Sequence, residues 1–144
     1  MTVADDTRRE VRELHEFFAA WFRGDREQER FDRVAGALAP TFRLVRPDGT
    51  ETDREAVLEG VRAARGTEAP SFRIDVRDLR VRRRLDDHCL VTYEEWQHRD
   101  GAWDGRRSTA LLARESSAPT GVVWLDLQET RTDGDEPPDD DGGV

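Results

Sequence analysis

The chain has 144 residues, one cysteine (Cys89) and a formal net charge of −9, with 32 acidic residues against 23 basic ones, every one of them arginine. That length suits one domain that buries most of its surface, and a single cysteine excludes an internal disulfide framework or a cysteine-based metal site. The negative balance disfavours nucleic acid as a partner, and the lack of a long apolar run or an apolar leader leads to the expectation of a cytoplasmic protein that does not enter membranes.

Lys and Asn are absent and Ile occurs once, at Ile74, a usage that suggests a GC-rich genome. With abundant Asp this gives the chain a halophile-like look. Six acids and no base fall in residues 132–144, leaving 26 acids against 23 arginines, a net of −3, in residues 1–131. Most of the acidity belongs to a tail rich in Asp, Gly and Pro. The tail, 132–144, is expected to be disordered, and residues 1–131 to form a single domain.

Residues 1–7 read as frayed. From Thr7 to Arg23, Val11, Leu14, Phe17, Phe18, Trp21 and Phe22 make a helical stripe widened by aromatics, and Gly24 ends it. His15 borders that stripe, as a solvent-facing or hydrogen-bonded residue or as a pocket wall. A second helix is expected over Glu29–Ala39, with Phe31, Val34, Ala35 and Leu38 inward and Pro40 as its stop. Thr41–Arg46 alternates as a strand, Pro47-Asp48-Gly49 supplies a turn, and Thr50–Thr52 returns. Thr52-Asp-Arg-Glu55 matches a capping box for a helix carrying Val57, Leu58, Val61 and Ala64, ended by Gly66.

After Pro70, Phe72, Ile74 and Val76 share one strand face, whereas Leu79, Val81 and Leu85 fall on the opposite phase. One extra residue near Asp78 repairs the alternation, which is what a β-bulge does while bending the strand. Arg80, Arg82, Arg83 and Arg84 read as a solvated face paired with acids, or as an anion patch. Asp86-Asp87-His88 turns into a three-strand meander: Cys89–Gln97, Arg106–Arg114 and Val122–Arg131, with Asp100-Gly101, Asp104-Gly105 and Pro119–Gly121 in the gaps.

The order helix, helix, hairpin, helix, bent strand and meander resembles the nuclear-transport-factor-2-like superfamily, and within it the SnoaL-like uncharacterised branch. The resemblance spans Thr7 to Arg131. It rests on the Phe42–Gly49 hairpin before a capped helix, on Tyr93-Glu-Glu-Trp-Gln97, and on the closing Val123–Thr130 strand. Asp126 and Gln128 stand where relatives commonly carry His, so no role of those His residues carries over. The resemblance implies an α+β cone: a strongly curved antiparallel sheet wrapped around N-terminal helices, with a pocket at its open end. It also implies a homodimer through the sheet's outer face.

Alternation places Cys89, Val91, Tyr93, Glu95 and Gln97 inward and Leu90, Thr92, Glu94 and Trp96 outward. On the last strand, Val123, Leu125, Leu127 and Glu129 read as inward, and Val122, Trp124, Asp126, Gln128 and Thr130 as outward. Trp96 and Trp124 would then suit a dimer contact. The candidate catalytic pair is Glu95, as a base whose pKa burial raises, with Tyr93 as proton donor or oxyanion partner. Trp21, Gln97, Arg107 and Glu129 are the candidate ligand-binding side chains. Also open is a structural reading, in which Glu95 pairs with Arg107 or Arg114 and Glu129 with an arginine of the neighbouring strand.

His15, His88 and His98 lack metal-ligand spacing, Cys89 reads as core, and no glycine-rich phosphate loop follows a strand, so neither a metal nor a cofactor is expected. Three functions stand open. The favoured one is a pocket that binds a small, partly apolar molecule. The others are a cofactor-independent isomerase, cyclase or hydrolase using Glu95 and Tyr93, and a non-catalytic dimerisation or partner-binding module.

Overall fold

Val3, Thr7, Glu10, Leu14, Phe17 and Trp21 recur at alternating steps of four and three, and all are buried along one seam of α1 (Val3–Arg23). The chain is described by a computed structural model covering residues 2–132, 134 and 136–138. The helix starts ahead of the expected Thr7. Thr2 accepts from the Asp5 N–H while the Asp5 carboxylate accepts from the Thr2 N–H, so a capping box orders the segment expected to fray. Gly24, at φ 84°, closes the helix as foreseen.

The expected Glu29–Ala39 helix is much shorter. A 3-10 turn over Gln28–Phe31 runs into α2 (Asp32–Ala35), and Leu38 already belongs to strand β1 (Leu38–Val45). Leu38 is buried as a strand residue whose register partner is Trp124. Pro40 lies within β1, in the irregular stretch between Leu38 and Arg43 where a missing N–H costs no ladder bond. The hairpin to β2 (Glu51–Asp53) turns at Gly49, φ 87°. Asp53, one residue after the expected cap Thr52, receives the Ala56 N–H and starts α3 (Arg54–Ala63).

Four long strands follow: β3 (Arg73–Leu85), β4 (His88–Arg99), β5 (Ala102–Arg114) and β6 (Val122–Arg131). The sheet order is β2-β1-β6-β5-β4-β3, antiparallel except for the parallel pair β1–β6. This open, curved sheet against α1 is the expected α+β cone, with one parallel pairing added. The foreseen bulge is present. The β3–β4 register shifts between Arg77 and Arg80, with Asp78 at φ 53°.

The placement of Trp124 and the exposure of Trp96 need correction. In the β5–β6 ladder Leu111 faces Asp126 but Leu112 faces Trp124, so Leu125 is an extra residue and the strand changes phase there. Trp124 therefore points into the core, where its indole N–H donates to Glu10, while Leu127 and Glu129 still face inward. Trp96 lies on the outer face as expected, yet it is only 1% exposed. Its ring covers Gly105, where a Cβ would come within 2.6 Å of it, and Thr132 and Gly134 lie against the same spot. Gly105 is thus a packing glycine inside β5 and not a turn residue. Neither tryptophan is available as an exposed dimer contact. Apart from Thr132, Gly134 and Glu136–Pro138, the 132–144 tail lies outside the described residues.

Candidate functional site

The cone encloses a cavity of about 340 Å³ between α1, β1, α3 and the inner faces of β4–β6. Phe18 and Phe22 from α1, Phe42 and Leu44 from β1, Val61 from α3 and Leu127 from β6 form its apolar walls. Phe18 and Phe22 stack with centroids 5.6 Å apart, an i, i+4 pair on the helix face turned to the sheet. The polar side chains converge from the strands: Tyr93, Glu95 and Gln97 from one face of β4, Arg106 from β5 and Glu129 from β6, with Arg46 at the rim.

Strand register sets this convergence. Asp100 (φ 53°) and Gly101 (φ 78°) make a two-residue turn that pairs Arg99 with Ala102, and the ladder then places Glu95 opposite Arg106 and Tyr93 opposite Ser108. One strand further, Ser108 faces Glu129. Two inward rows cross the sheet as a result, Tyr93–Ser108–Glu129 and Glu95–Arg106.

His15 closes the site from above. Its Nδ1 lies 2.7 Å from the Val11 carbonyl and its Nε2 lies 3.2 Å from Glu95 Oε1, both in buried surroundings. A carbonyl and a carboxylate can only accept, so His15 meets both by carrying a proton on each nitrogen, which makes it an imidazolium. Burial pushes the His15 pKa down, but the hydrogen bond and charge of Glu95 outweigh it and the pKa rises. For Glu95 the structure reverses the expected upward shift. Burial does press its pKa up, yet the hydrogen bond and charge of His15, with Arg106 and Gln97, bring it to about 2. Gln97 completes its coordination with an amide N–H at 2.7 Å from Oε2.

Glu129 has the raised carboxyl instead. Burial is the leading cause, Glu95 adds like-charge repulsion, and Arg106 opposes both. Its nearest cation is Arg106 Nη1, at 3.5 Å. Burial also drives the Tyr93 hydroxyl well above its ordinary pKa, with Glu95 and Glu129 reinforcing it, so Tyr93 stays a neutral phenol. Ser108 pulls the other way as a neighbouring hydrogen-bonding group, although the two hydroxyls do not meet in hydrogen-bond geometry. Tyr93 Oη, Ser108 Oγ and Arg106 Nε are buried without a hydrogen-bond partner.

Of the sequence-derived site residues, Tyr93, Glu95, Gln97 and Glu129 line the cavity together. Trp21 does not. It is a core residue, 1% exposed, stacked on Phe17 and donating to the Val61 carbonyl. Arg107 does not either: it lies on the outer face, paired at 3.1 Å with Glu94, which also accepts from the Trp96 indole. His15 also lines the cavity, and Arg106 takes the place there that register denies to Arg107. Among the described residues no group of three or more His, Cys, Asp or Glu is placed to hold a metal ion, and no helix is long and apolar enough to cross a membrane.

A family model described as sucrose-6-phosphate phosphohydrolase C-terminal matches residues 7–133. The chain belongs to that family. No curated protein matches this family member in sequence. Among solved structures it is similar to an NTF2-like protein of unknown function from Pseudomonas aeruginosa, with 27% identity over 89% of this chain and 99% of that one and a TM-score of 0.81. An NTF2-like protein of unknown function from Rhodospirillum rubrum shares 20% identity, covering 83% of this chain and 97% of that one, at a TM-score of 0.60. The CaMKII hub of S. rosetta shares 15% identity, covering 89% of this chain and 95% of that one, at a TM-score of 0.70. The last two share the fold alone. This member of the sucrose-6-phosphate phosphohydrolase C-terminal family thus has the nuclear-transport-factor-2-like fold.

Proposed function

We propose that the chain is a small-molecule pocket protein whose ligand is partly apolar. The observation that carries this reading is the cavity itself: aromatic and aliphatic walls meet a cluster of polar side chains, two of whose buried atoms, Tyr93 Oη and Arg106 Nε, have no hydrogen-bond partner in the protein. Buried hydroxyls are normally hydrogen-bonded, and an apolar cleft with a few convergent polar groups is the common form of a ligand site.

Gly60 offers a direct test. It lies exposed at the cavity mouth on α3, and a Cβ placed there meets nothing within 4 Å, so Gly60→Trp can set an indole across the mouth. The wild-type chain should enhance N-phenyl-1-naphthylamine fluorescence saturably at one site, and Gly60→Trp should abolish the effect. Equal binding by the variant would remove the pocket from the account. Sucrose and sucrose 6-phosphate, run as competitors, test whether the ligand is the one in the family's name.

A catalytic reading is favoured by a single feature, the raised carboxyl of Glu129 beside the neutral Tyr93 hydroxyl. In such a cofactor-independent isomerase, cyclase or hydrolase, Glu129 would serve as the base. Glu95, held at about 2, is too weak a base to compete and acts through His15 as a positioning residue. A homodimer through the outer sheet face would in turn have to use side chains other than Trp96 and Trp124.

A further inference from the structure

The two inward rows of the sheet differ in what they leave unused. In the Glu95–Arg106 row, Glu95 is fully engaged, taking His15 and Gln97. In the Tyr93–Ser108–Glu129 row almost nothing is engaged. Tyr93 Oη and Ser108 Oγ have no partner, and Glu129, 8% exposed, makes no hydrogen bond among the described residues. Each such group costs free energy unless something bound there completes it.

The charges at this end already have partners: His15 pairs with Glu95, and Arg106 lies 3.5 Å from Glu129 and 3.4 Å from Asp104. A ligand carboxylate or ammonium would add a charge with no counter-charge in surroundings of low polarity, which is far costlier than adding a neutral hydrogen-bonding group. Arg46 stands at the exposed rim, where water screens it. What remains on offer is a phenol that donates and a carboxylate that accepts, about one strand spacing to either side of Ser108, with the unpartnered Arg106 Nε–H as a second donor.

We infer that the pocket takes an uncharged ligand with an apolar body and a hydroxyl-bearing head, whose oxygen accepts from Tyr93 and whose O–H is received by Glu129. This rests on the pocket reading above and names its ligand class. A hydroxyl is the smallest head that both donates and accepts, so it satisfies the two sides of the row at once. The apolar walls take the body.

The test is displacement of N-phenyl-1-naphthylamine from the full chain at neutral pH by three probes of one rigid skeleton: 1-adamantanol, 1-adamantanecarboxylate and 1-adamantylammonium. The alcohol should bind at least about tenfold tighter than either charged probe. Tyr93→Phe should lose most of that advantage without lowering its unfolding midpoint, because folding makes no use of the hydroxyl. Glu129→Gln removes the counter-charge of Arg106 and should shift preference toward the carboxylate probe, a change that damaged folding would not produce. If either charged probe matches the alcohol on the wild-type chain, the head-group inference is overturned and the pocket stands. If the naphthylamine itself fails to bind, the pocket reading falls and this inference with it.

Discussion

Replacing Glu95 with Gln tests whether the buried His15–Glu95 pair stabilises the fold. The carboxylate is 7% exposed and bonded to His15 at 3.2 Å and to Gln97 at 2.7 Å. Its pKa of about 2, against an ordinary 4.5, corresponds by linkage to about 3 kcal/mol of stability at neutral pH. The upward shift of His15 reports the same interaction from its other partner and is not added. The two signs define a window. Because the folded Glu95 pKa is depressed, its contribution is complete above about 4.5 and is lost as pH falls through about 2. Because the folded His15 pKa is raised, its contribution is complete below 6.5 and is lost as pH rises through the higher folded value. The pair therefore stabilises most between about 4.5 and 6.5.

The Glu95→Gln side chain would keep the shape and lose the charge. His15 would then be buried with no anion beside it, and burial would drive it neutral; its Nδ1–H would still donate to the Val11 carbonyl and its Nε2 would accept from the introduced amide, so the loss is that of the charge pair. Urea unfolding followed by tryptophan fluorescence should show a loss of about 2–3 kcal/mol for Glu95→Gln at pH 5.5, shrinking toward alkaline pH as His15 deprotonates in the wild type. Glu55→Gln, on a side chain 83% exposed, is the control and should change little. A Glu95→Gln variant as stable as wild type at pH 5.5 would refute the ion-pair account of this site.

Three further outcomes follow from the same structure. Glu10 is fully buried and accepts from Arg33, Thr120 and the Trp124 indole, so Glu10→Gln should cost about 3 kcal/mol in the same urea assay, because it leaves the Arg33 side chain without its buried anion. Gly105→Ala would force its methyl into the Trp96 ring and should lower stability by about 1–3 kcal/mol, with a shift in tryptophan emission. The raised Glu129 pKa weakens the fold as pH climbs past 4.5, so Glu129→Gln should be at least as stable as wild type at pH 7, and the pH slope between about 4.5 and 7 should flatten in denaturation curves.

The cone is legible in the sequence because its signals are local and independent: the aromatic stripe of α1, the Pro-Asp-Gly turn, and the phase slip that locates the bulge at Asp78. The site is legible only as far as strand parity can be followed. Tyr93, Glu95 and Gln97 share parity on an uninterrupted stretch of β4, so alternation places them correctly. It misplaces Trp124 because Leu125 is an extra residue, and a single insertion reverses every assignment on one side of it. That bulge leaves no mark in the composition of β6, which is apolar at four consecutive positions on either reading.

Arg106 is within reach of the sequence. Reading Asp100-Gly101 as a two-residue turn pairs Arg99 with Ala102 and, four steps on, Glu95 with Arg106. Gly105 reads as punctuation because a strand-interior glycine carries no sign of the ring that covers it. Glu10 is also within reach, since it occupies the seam position between Thr7 and Leu14, where a solvated acid has no place. His15 shows the deeper limit. Whether a buried carboxylate has its pKa raised by burial or lowered by a partner depends on a contact between residues 80 positions apart. Burial and pairing act with opposite signs at Glu95, and only the three-dimensional arrangement decides which is larger.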